Sequence, residues 1–598
     1  MEHLLVGLAS IVILGIGAQW VAWRLRLPAI LLLLVVGFLA GPVFGVINPN
    51  EIFGDLLFPI VSLSVAIILF EGGLSLNIAE LGEIGRVVRN LILIGMLVTW
   101  ASAATLAHYL LGFGVPLAVL SGAILVVTGP TVIVPLLRQI RPDGRVGDAI
   151  KWEGIVNDPL GAIIAVLVLE AILAGGFEQG LAVALVGILQ ALFWGTFVGL
   201  AAAAIIVVIL RFYLVPDFLQ NPVTLTLVLL SFAASSMIQS ESGLLAVTVM
   251  GAALASQQFV TVKHIVEFKE DLRVLLISAL FIMLAARLPL NDPTYWDPRS
   301  LLFVAALILV VRPAAVALAT LGSQFNWRER VFLGFMAPRG IVAAAVASIF
   351  AIDLADVPSI DADRLVSVVF MVVVGTVTVY GVTAPIVARK LGVATPNPQG
   401  FLIVGAAKWI RDFARVLETQ GQRVVLVDSN WANITTARRD GLKAYYLNIL
   451  DEGVEDEVDL YGLGRLLSLT PNDEVNALAA LHFGDLFGRA NVYQLPLGDH
   501  PSGKRRESIP EHLRGRWVFR GDATHELLRT RVQAGATIKR TNLTEEFTYD
   551  AFLERYGESA IPLFTISGKG DVSIMTVANP PTPKAGQTLI SLVDEPED

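Results

Sequence analysis

The feature that most constrains this chain is a succession of apolar stretches, each long enough to cross a bilayer or to half-cross it where broken, recurring from residue 4 to about residue 390. About thirteen can be counted: 4–23, 28–46, 56–70, 91–111, 115–137, 146–173, 181–210, 223–238, 244–255, 274–286, 301–321, 331–351 and 365–388. Lipid must solvate most of such a chain, of which 55% is hydrophobic and only 16% charged. The pattern predicts a polytopic α-helical membrane protein. None of the 598 residues is cysteine, which excludes disulfides, thiolate metal sites and cysteine nucleophiles. The net charge of −9 points away from nucleic acid as a partner. The opening run Leu4–Trp23 lacks a basic leader and a small-residue cleavage site and is followed by Arg24 and Arg26, so it reads as a retained first span.

The loops divide sharply by charge. Those after odd-numbered spans carry Arg24, Arg26, Arg86, Arg89, Arg138, Arg141, Arg145, Arg211, Lys263, Lys269, Arg273, Arg328, Arg330, Arg389 and Lys390. Those after even-numbered spans carry acids, among them Glu51, Asp55, Glu178, Glu241, Asp292, Asp297 and Asp356, with only Arg287, Arg299 and Arg364 as basic residues. Positive loops stay inside, so the N-terminus is expected outside the inner (plasma) membrane and everything beyond Lys390 in the cytoplasm, which requires an odd number of spans.

An ionisable group inside a span is costly and is a functional candidate by default. The sixth span, KWEGIVNDPLGAIIAVLVLE, holds the densest set. Glu153 and Asn157 lie one helical turn apart on one face, and Asp158 lies about 100° further round. A carboxylate kept from water resists ionisation, so Asp158 can trade a proton for a small cation at the same oxygens. The alternative is that Asp158 caps a half-helix ahead of Pro159. In the fifth span, Gly129-Pro130 and Pro135 are expected to break the helix, and Thr128, Thr131 and the freed carbonyls could supply neutral cation ligands; the alternative is a kinked packing helix. Arg339 in the twelfth span and Arg312 in the eleventh need carboxylate partners, because free positive charge opposes cation binding. Glu153 is the expected partner of Arg339; for Arg312 the sequence nominates no clear partner, and Glu71, in LFEGGLSL, is the candidate.

The ordered set LFEGGL, TGPTVIVPLLR, EGIVNDPLGA, FKEDLRVLLISALFIML, VVRPAAV and APRGIVAAAVA resembles the NhaP/NHE branch of the monovalent cation/proton antiporters and covers nearly the whole membrane part. The Asn157-Asp158 pair is its most specific element and resembles the Asn-Asp motif of the electroneutral members, where NhaA-type relatives carry two aspartates. The resemblance implies an inverted-repeat antiporter fold of thirteen helices with a six-helix core and two crossed broken helices, a homodimer, elevator-like alternating access, and Asp158 as shared carrier of Na⁺ or K⁺ and protons. It also places Glu153 and Arg339 on a stabilising pair. Two departures leave Na⁺ against K⁺ open: Thr128-Gly129-Pro130 stands where the family commonly has Thr-Asp-Pro, and Glu153-Gly154 where it has Glu-Ser.

Beyond Pro396 and Pro398 the composition becomes that of a soluble α/β domain, with β runs FLIVG, VVLVD, KAYYL, LLSLT and NVYQLPL. This order resembles the KTN/RCK (TrkA-N) domains attached to potassium channels and transporters. The expected division is a transport domain over 1–392, a Rossmann-like domain over 398–540 and a small β-rich unit over 545–598. The spacing from Gly405 to Asp428 suits a dinucleotide fold, but Ala407 and Ile410 replace two of the three fingerprint glycines. No tightly bound cofactor is expected, and a regulatory adenine nucleotide is the candidate ligand. Among the alternatives, a potassium efflux system gated by nucleotide remains within the same class. A gated channel lacks a TVGYG-like filter, and a membrane-anchored dinucleotide enzyme is opposed by the broken glycine pattern.

Overall fold

The apolar runs fold as helices, because each backbone N–H and C=O in hydrocarbon must be satisfied within its own segment. The computed structural model describes residues 2–594 apart from 26, 77, 79–80, 141, 143, 174–176, 258, 261, 289–291, 296, 355–360, 395–398, 452–453, 455–457, 459, 461, 498–513, 558 and 569. Arg26, Arg141, Asp356, Pro396 and Pro398 lie outside the described residues, as do the side chains of Arg138, Glu178, Lys263 and Lys269. The chain divides into two compact units, Met1–Pro396 and Asn397–Asp598.

Among the described residues of the first unit, eight helices are long and apolar enough to cross a membrane and five shorter apolar ones accompany them, which makes the thirteen spans expected. In chain order they are α1 (Glu2–Leu25), α2 (Ala29–Phe38), α3 (Leu57–Leu74), α4 (Leu81–Asn90 and Met96–Leu111, joined through a π turn), α5 in two halves (Val115–Ile124 and Pro130–Ile140), α6 (Gly144–Leu173), α7 (Phe177–Arg211), α8 (Asp217–Ile238), α9 (Ser242–Ser256), α10 (Lys263–Ala286), α11 (Pro298–Ala306 and Arg312–Ala319, joined through the π turn Leu307–Val311), α12 in two halves (Trp327–Phe335 and Ile341–Asp353) and α13 (Ala362–Leu391). Of the long helices α6 is the most interior, with 72% of its apolar window buried against 22% in α8.

Two helices are broken, and each break falls on a proline. Pro130 has no N–H to donate and disfavours helical geometry at Gly129 before it, so α5 is interrupted over 125–129. Pro338 does the same to α12 over 336–340. Pro135, expected to break α5 as well, sits inside the intact second half, Pro130–Ile140.

The second unit contains a six-stranded parallel sheet in the order β3-β2-β1-β4-β5-β6, the dinucleotide-fold arrangement, from β1 (Gly400–Val404), β2 (Val424–Asp428), β3 (Ala444–Tyr446), β4 (Leu463–Ser468), β5 (Val492–Gln494) and β6 (Arg516–Trp517). A four-stranded antiparallel sheet follows, in the order β7-β10-β8-β9, from β7 (Thr537–Asn542), β8 (Ile561–Ile566), β9 (Val572–Ile574) and β10 (Thr588–Val593). Here the expected boundary at 540–545 is corrected: it cuts β7, which pairs with β10 along its whole length. The expected third unit is a second sheet of the same body, because both sheets share one apolar core. Phe413, on the helix Lys408–Thr419 that follows β1, stands edge-to-face on Phe564 of β8 at 5.4 Å between ring centroids.

Candidate functional site

The two breaks meet. A Cβ on Gly129 would collide with the backbone of Gly340, and one on Gly340 with the backbone of Gly129, so the interrupted segments of α5 and α12 touch main chain to main chain. Only glycine at both positions allows that approach. Gly340→Ala is expected to lower the stability of the solubilised protein by roughly 1–3 kcal/mol through overpacking; an unchanged melting temperature would mean that the crossing is loose.

Helix α6 lies against this crossing through a face of small residues. Gly154 accepts Ile133 of α5 closely, and Gly161, two turns further on, closes on the backbone of Val127 in the first break. Thr128 Oγ1 donates to the Gly154 carbonyl at 3.5 Å. Asp158 is four residues from Gly154 and three from Gly161, so helical periodicity puts its carboxyl on the face turned to the break. Its helix runs unbroken through Pro159, which rules out the capping alternative.

Asp158 is fully buried, and among the described residues no hydrogen bond reaches either of its carboxyl oxygens. The same holds for Oδ1 of Asn157 and Oγ1 of Thr131, which are also buried. Thr131 opens the second half of α5, and its hydroxyl lies within 3.1 and 3.5 Å of where a Cβ on Gly129 or Gly340 would stand, that is, at the crossing itself. Buried polar atoms normally find partners within the protein, so oxygens without one beside two helix breaks are anomalous. They are hard oxygen donors with a single carboxylate among them, a set suited to a proton or a dehydrated alkali cation.

The buried arginines pair differently from the sequence expectation. Arg312, not Arg339, holds Glu153: its Nη2 donates to Oε2 at 2.8 Å and its Nη1 to Oε1, a two-pronged contact that occupies both carboxylate oxygens. Arg312 Nε also donates to the Leu333 carbonyl at 3.1 Å, in the last turn of the first half of α12, where that carbonyl also takes the N–H of Met336. One guanidinium thus ties α6, α11 and α12 together. Arg339 instead sends Nη1 to the Val126 carbonyl in the first break, at 3.2 Å, while its own N–H is taken by Thr376 Oγ1 of α13 at 3.2 Å. It sits in the second break, where its side chain is led across to the first rather than to Glu153.

Glu71 is likewise not the partner of Arg312; it pairs with Arg273 of α10 at 2.6 Å. The sequence pattern places Arg273 in a loop, but α10 is continuous from Lys263 and carries it. Thr376 and the Val126 carbonyl were missed altogether. A threonine in VVVGTVTVYG has no feature that marks it, and a carbonyl has no sequence signal beyond the neighbouring Gly129-Pro130.

In the second unit the first turn after β1 is closed on itself. Gly405 has φ +106°, a conformation that favours glycine, and its N–H donates to the Val427 carbonyl at 2.8 Å. Asp428 Oδ2 accepts from the Ala406 N–H at 2.8 Å and from Asn433 Nδ2 at 2.9 Å, while Oδ1 accepts from the Asn430 N–H at 2.9 Å. Both oxygens that would meet a ribose are engaged. Ala407 caps the following helix by position without a side-chain bond, and Ile410, at the third glycine position, is buried in the core.

Residues 8–390 match the family described as the transmembrane sodium/hydrogen exchanger, and residues 401–494 match the TrkA-N domain. The Na⁺/H⁺ antiporter 1 of Methanocaldococcus jannaschii is 28% identical over 360 residues, covering 58% of this chain and 83% of that protein. The K⁺/H⁺ antiporter NhaP of Alkalimonas amylolytica is 27% identical over 391 residues, covering 65% of this chain and 67% of that protein. Among solved structures, the sodium/proton antiporter MjNhaP1 of M. jannaschii at pH 8 superimposes with a TM-score of 0.55 at 25% identity, over 64% of this chain and 97% of that one. With the family match spanning every membrane helix and both breaks, the chain belongs to the transmembrane sodium/hydrogen exchangers and carries a TrkA-N domain behind them.

Proposed function

We propose that the protein is a secondary antiporter that exchanges Na⁺ or K⁺ for protons, with Asp158 binding cation and proton by turns. The observation that carries this reading is a fully buried carboxylate, at the crossing of two broken helices, whose oxygens take no hydrogen bond from the described residues. Thr131 and Asn157 offer further oxygens, and the Thr128 hydroxyl, whose hydrogen goes to the Gly154 carbonyl, keeps its lone pairs for a cation. One carboxylate trading one monovalent cation for one proton moves no net charge, so the exchange is electroneutral. Glu153 with Arg312 and Glu71 with Arg273 serve as scaffold pairs, and Arg339 keeps its charge on the Val126 carbonyl.

The loop charges favour an inner-membrane protein with its N-terminus outside and Asn397–Asp598 in the cytoplasm. The working form is a homodimer with elevator-like access, as in the family the sequence resembles. The TrkA-N domain regulates by binding one membrane conformation better than another. An adenine nucleotide at Gly405 would share Asp428 with the bonds its oxygens already accept.

In proteoliposomes, a Na⁺ or K⁺ gradient is expected to drive proton flux that is insensitive to membrane potential. A chain ended after residue 395 keeps the flux with a shifted apparent pKa or KM. Absence of flux with Na⁺, K⁺ and Li⁺ alike, or currents at channel rates, would sink the proposal.

A further inference from the structure

A second feature of the membrane unit lies away from the crossing. Between α11 and the first half of α12 runs a groove of about 450 Å³, walled by Leu309, Val316, Leu321, Val331 and Phe335. Its depth has a local cause. Pro313 cannot donate to the helix ladder, and the π turn Leu307–Val311 absorbs the mismatch just ahead of it. Opposite, Gly334 presents no side chain, and a Cβ there would only reach ordinary contact with Pro313 at 3.5 Å. Leu309, Leu321 and Val331 are exposed along the groove, on a unit whose surroundings are lipid.

Among the described residues that line the groove, Arg330 is the single charged one. Its side chain is held in place, with Nε donating to the Phe325 carbonyl at 2.9 Å and Nη2 to the Ser323 carbonyl at 3.0 Å. Among the described residues no carboxylate pairs with it, and the neighbouring Glu329 is turned to Arg145 at 3.1 Å. Trp327, exposed at the start of the same half-helix with Arg328 stacked over it, has the character of a residue at the membrane–water boundary. From there to Phe335 the half-helix descends about 13 Å, close to the hydrocarbon depth of one leaflet, ~15 Å.

We infer that this groove is a binding site for an anionic phospholipid, one acyl chain lying between α11 and α12 and the phosphate meeting the Arg330 guanidinium. The apolar walls suit an acyl chain, and the fixed charge at the mouth, with no described carboxylate beside it, selects an anionic over a zwitterionic headgroup. The half-helix that would be gripped ends at Met336, where the second break begins, so the lipid touches the element that carries Gly340.

The test is native mass spectrometry of the full chain in equimolar phosphatidylglycerol and phosphatidylcholine of matched acyl chains. Retained phosphatidylglycerol is expected in about fivefold excess, the factor that one basic residue at a membrane surface supplies. Arg330→Gln should bring the two to parity, Gly334→Leu should reduce retention of both by filling the groove, and Arg389→Gln, at the end of α13, should leave the preference unchanged. Parity in the native chain, or a preference that survives Arg330→Gln, overturns the inference. Should Arg330→Gln fail to fold, Gly334→Leu decides: undiminished retention overturns it and diminished retention upholds it.

Discussion

Asp158→Asn reduces cation-driven proton flux in proteoliposomes to the level of empty vesicles, and does so without loss of stability. The two halves of this expectation have one cause. The described residues give the carboxyl oxygens no hydrogen bond, so replacing one with an isosteric amide breaks none. A buried ionisable group without partners is expensive, and removing it leaves the melting temperature equal or raises it. The amide cannot carry a proton and offers a cation no charge, so exchange stops. A ligand that binds only the folded chain stabilises it by about 2.7 kcal/mol at a hundred times its Kd. The native protein should therefore melt at higher temperature as Na⁺ or K⁺ is added, and the variant should not. Residual flux above empty vesicles, or an undiminished cation effect on melting in the variant, would show that the carrier lies elsewhere.

The second large effect concerns Glu153 and Arg312. Either Glu153→Ala or Arg312→Ala is expected to cost roughly 3–5 kcal/mol, because each strands a buried charge whose partner has gone. The double variant should lose clearly less than the two single losses together, with a coupling of about 0.5–3 kcal/mol. Glu153→Ala combined with Arg339→Ala should instead be close to additive, since Arg339 bonds the Val126 carbonyl rather than the carboxylate. Thermal melting of the five solubilised variants, the three single changes and the two double ones, distinguishes these outcomes. Additivity for Glu153 with Arg312 would mean that the short contact does not stabilise the fold.

How much of this was legible beforehand depended on whether a feature declares itself locally. The spans did, because an apolar run has few other uses, and Asp158 did, because a carboxylate within one is anomalous. Gly129-Pro130 marked the first break through the chemistry of those two residues alone. The partners of the arginines did not declare themselves. Glu153 had two intramembrane guanidinium candidates in the sequence, Arg312 and Arg339, and only the packing of α11 against α12 brings Arg312 to it. Arg273 was hidden for a different reason: its polar neighbours from Lys263 to Asp271 read as a loop, whereas the helix is continuous there. The limit of the parallel sheet was obscured in the same way, since β7, with Lys539 and Arg540 exposed, has little of the alternation that identifies a strand.

The contact between Gly129 and Gly340 has a mechanical meaning. Side chains ordinarily act as cushions between helices, taking up small shifts by changing rotamer, and here there are none. A push on either half-helix therefore reaches the other undamped, like two crossed rods welded at the midpoint. In the exchange proposed above, a displacement that carries Asp158 between the membrane faces takes α5 and α12 along as one truss. Ion preference is then retuned at the oxygens around that truss, because the crossing itself leaves nothing to adjust.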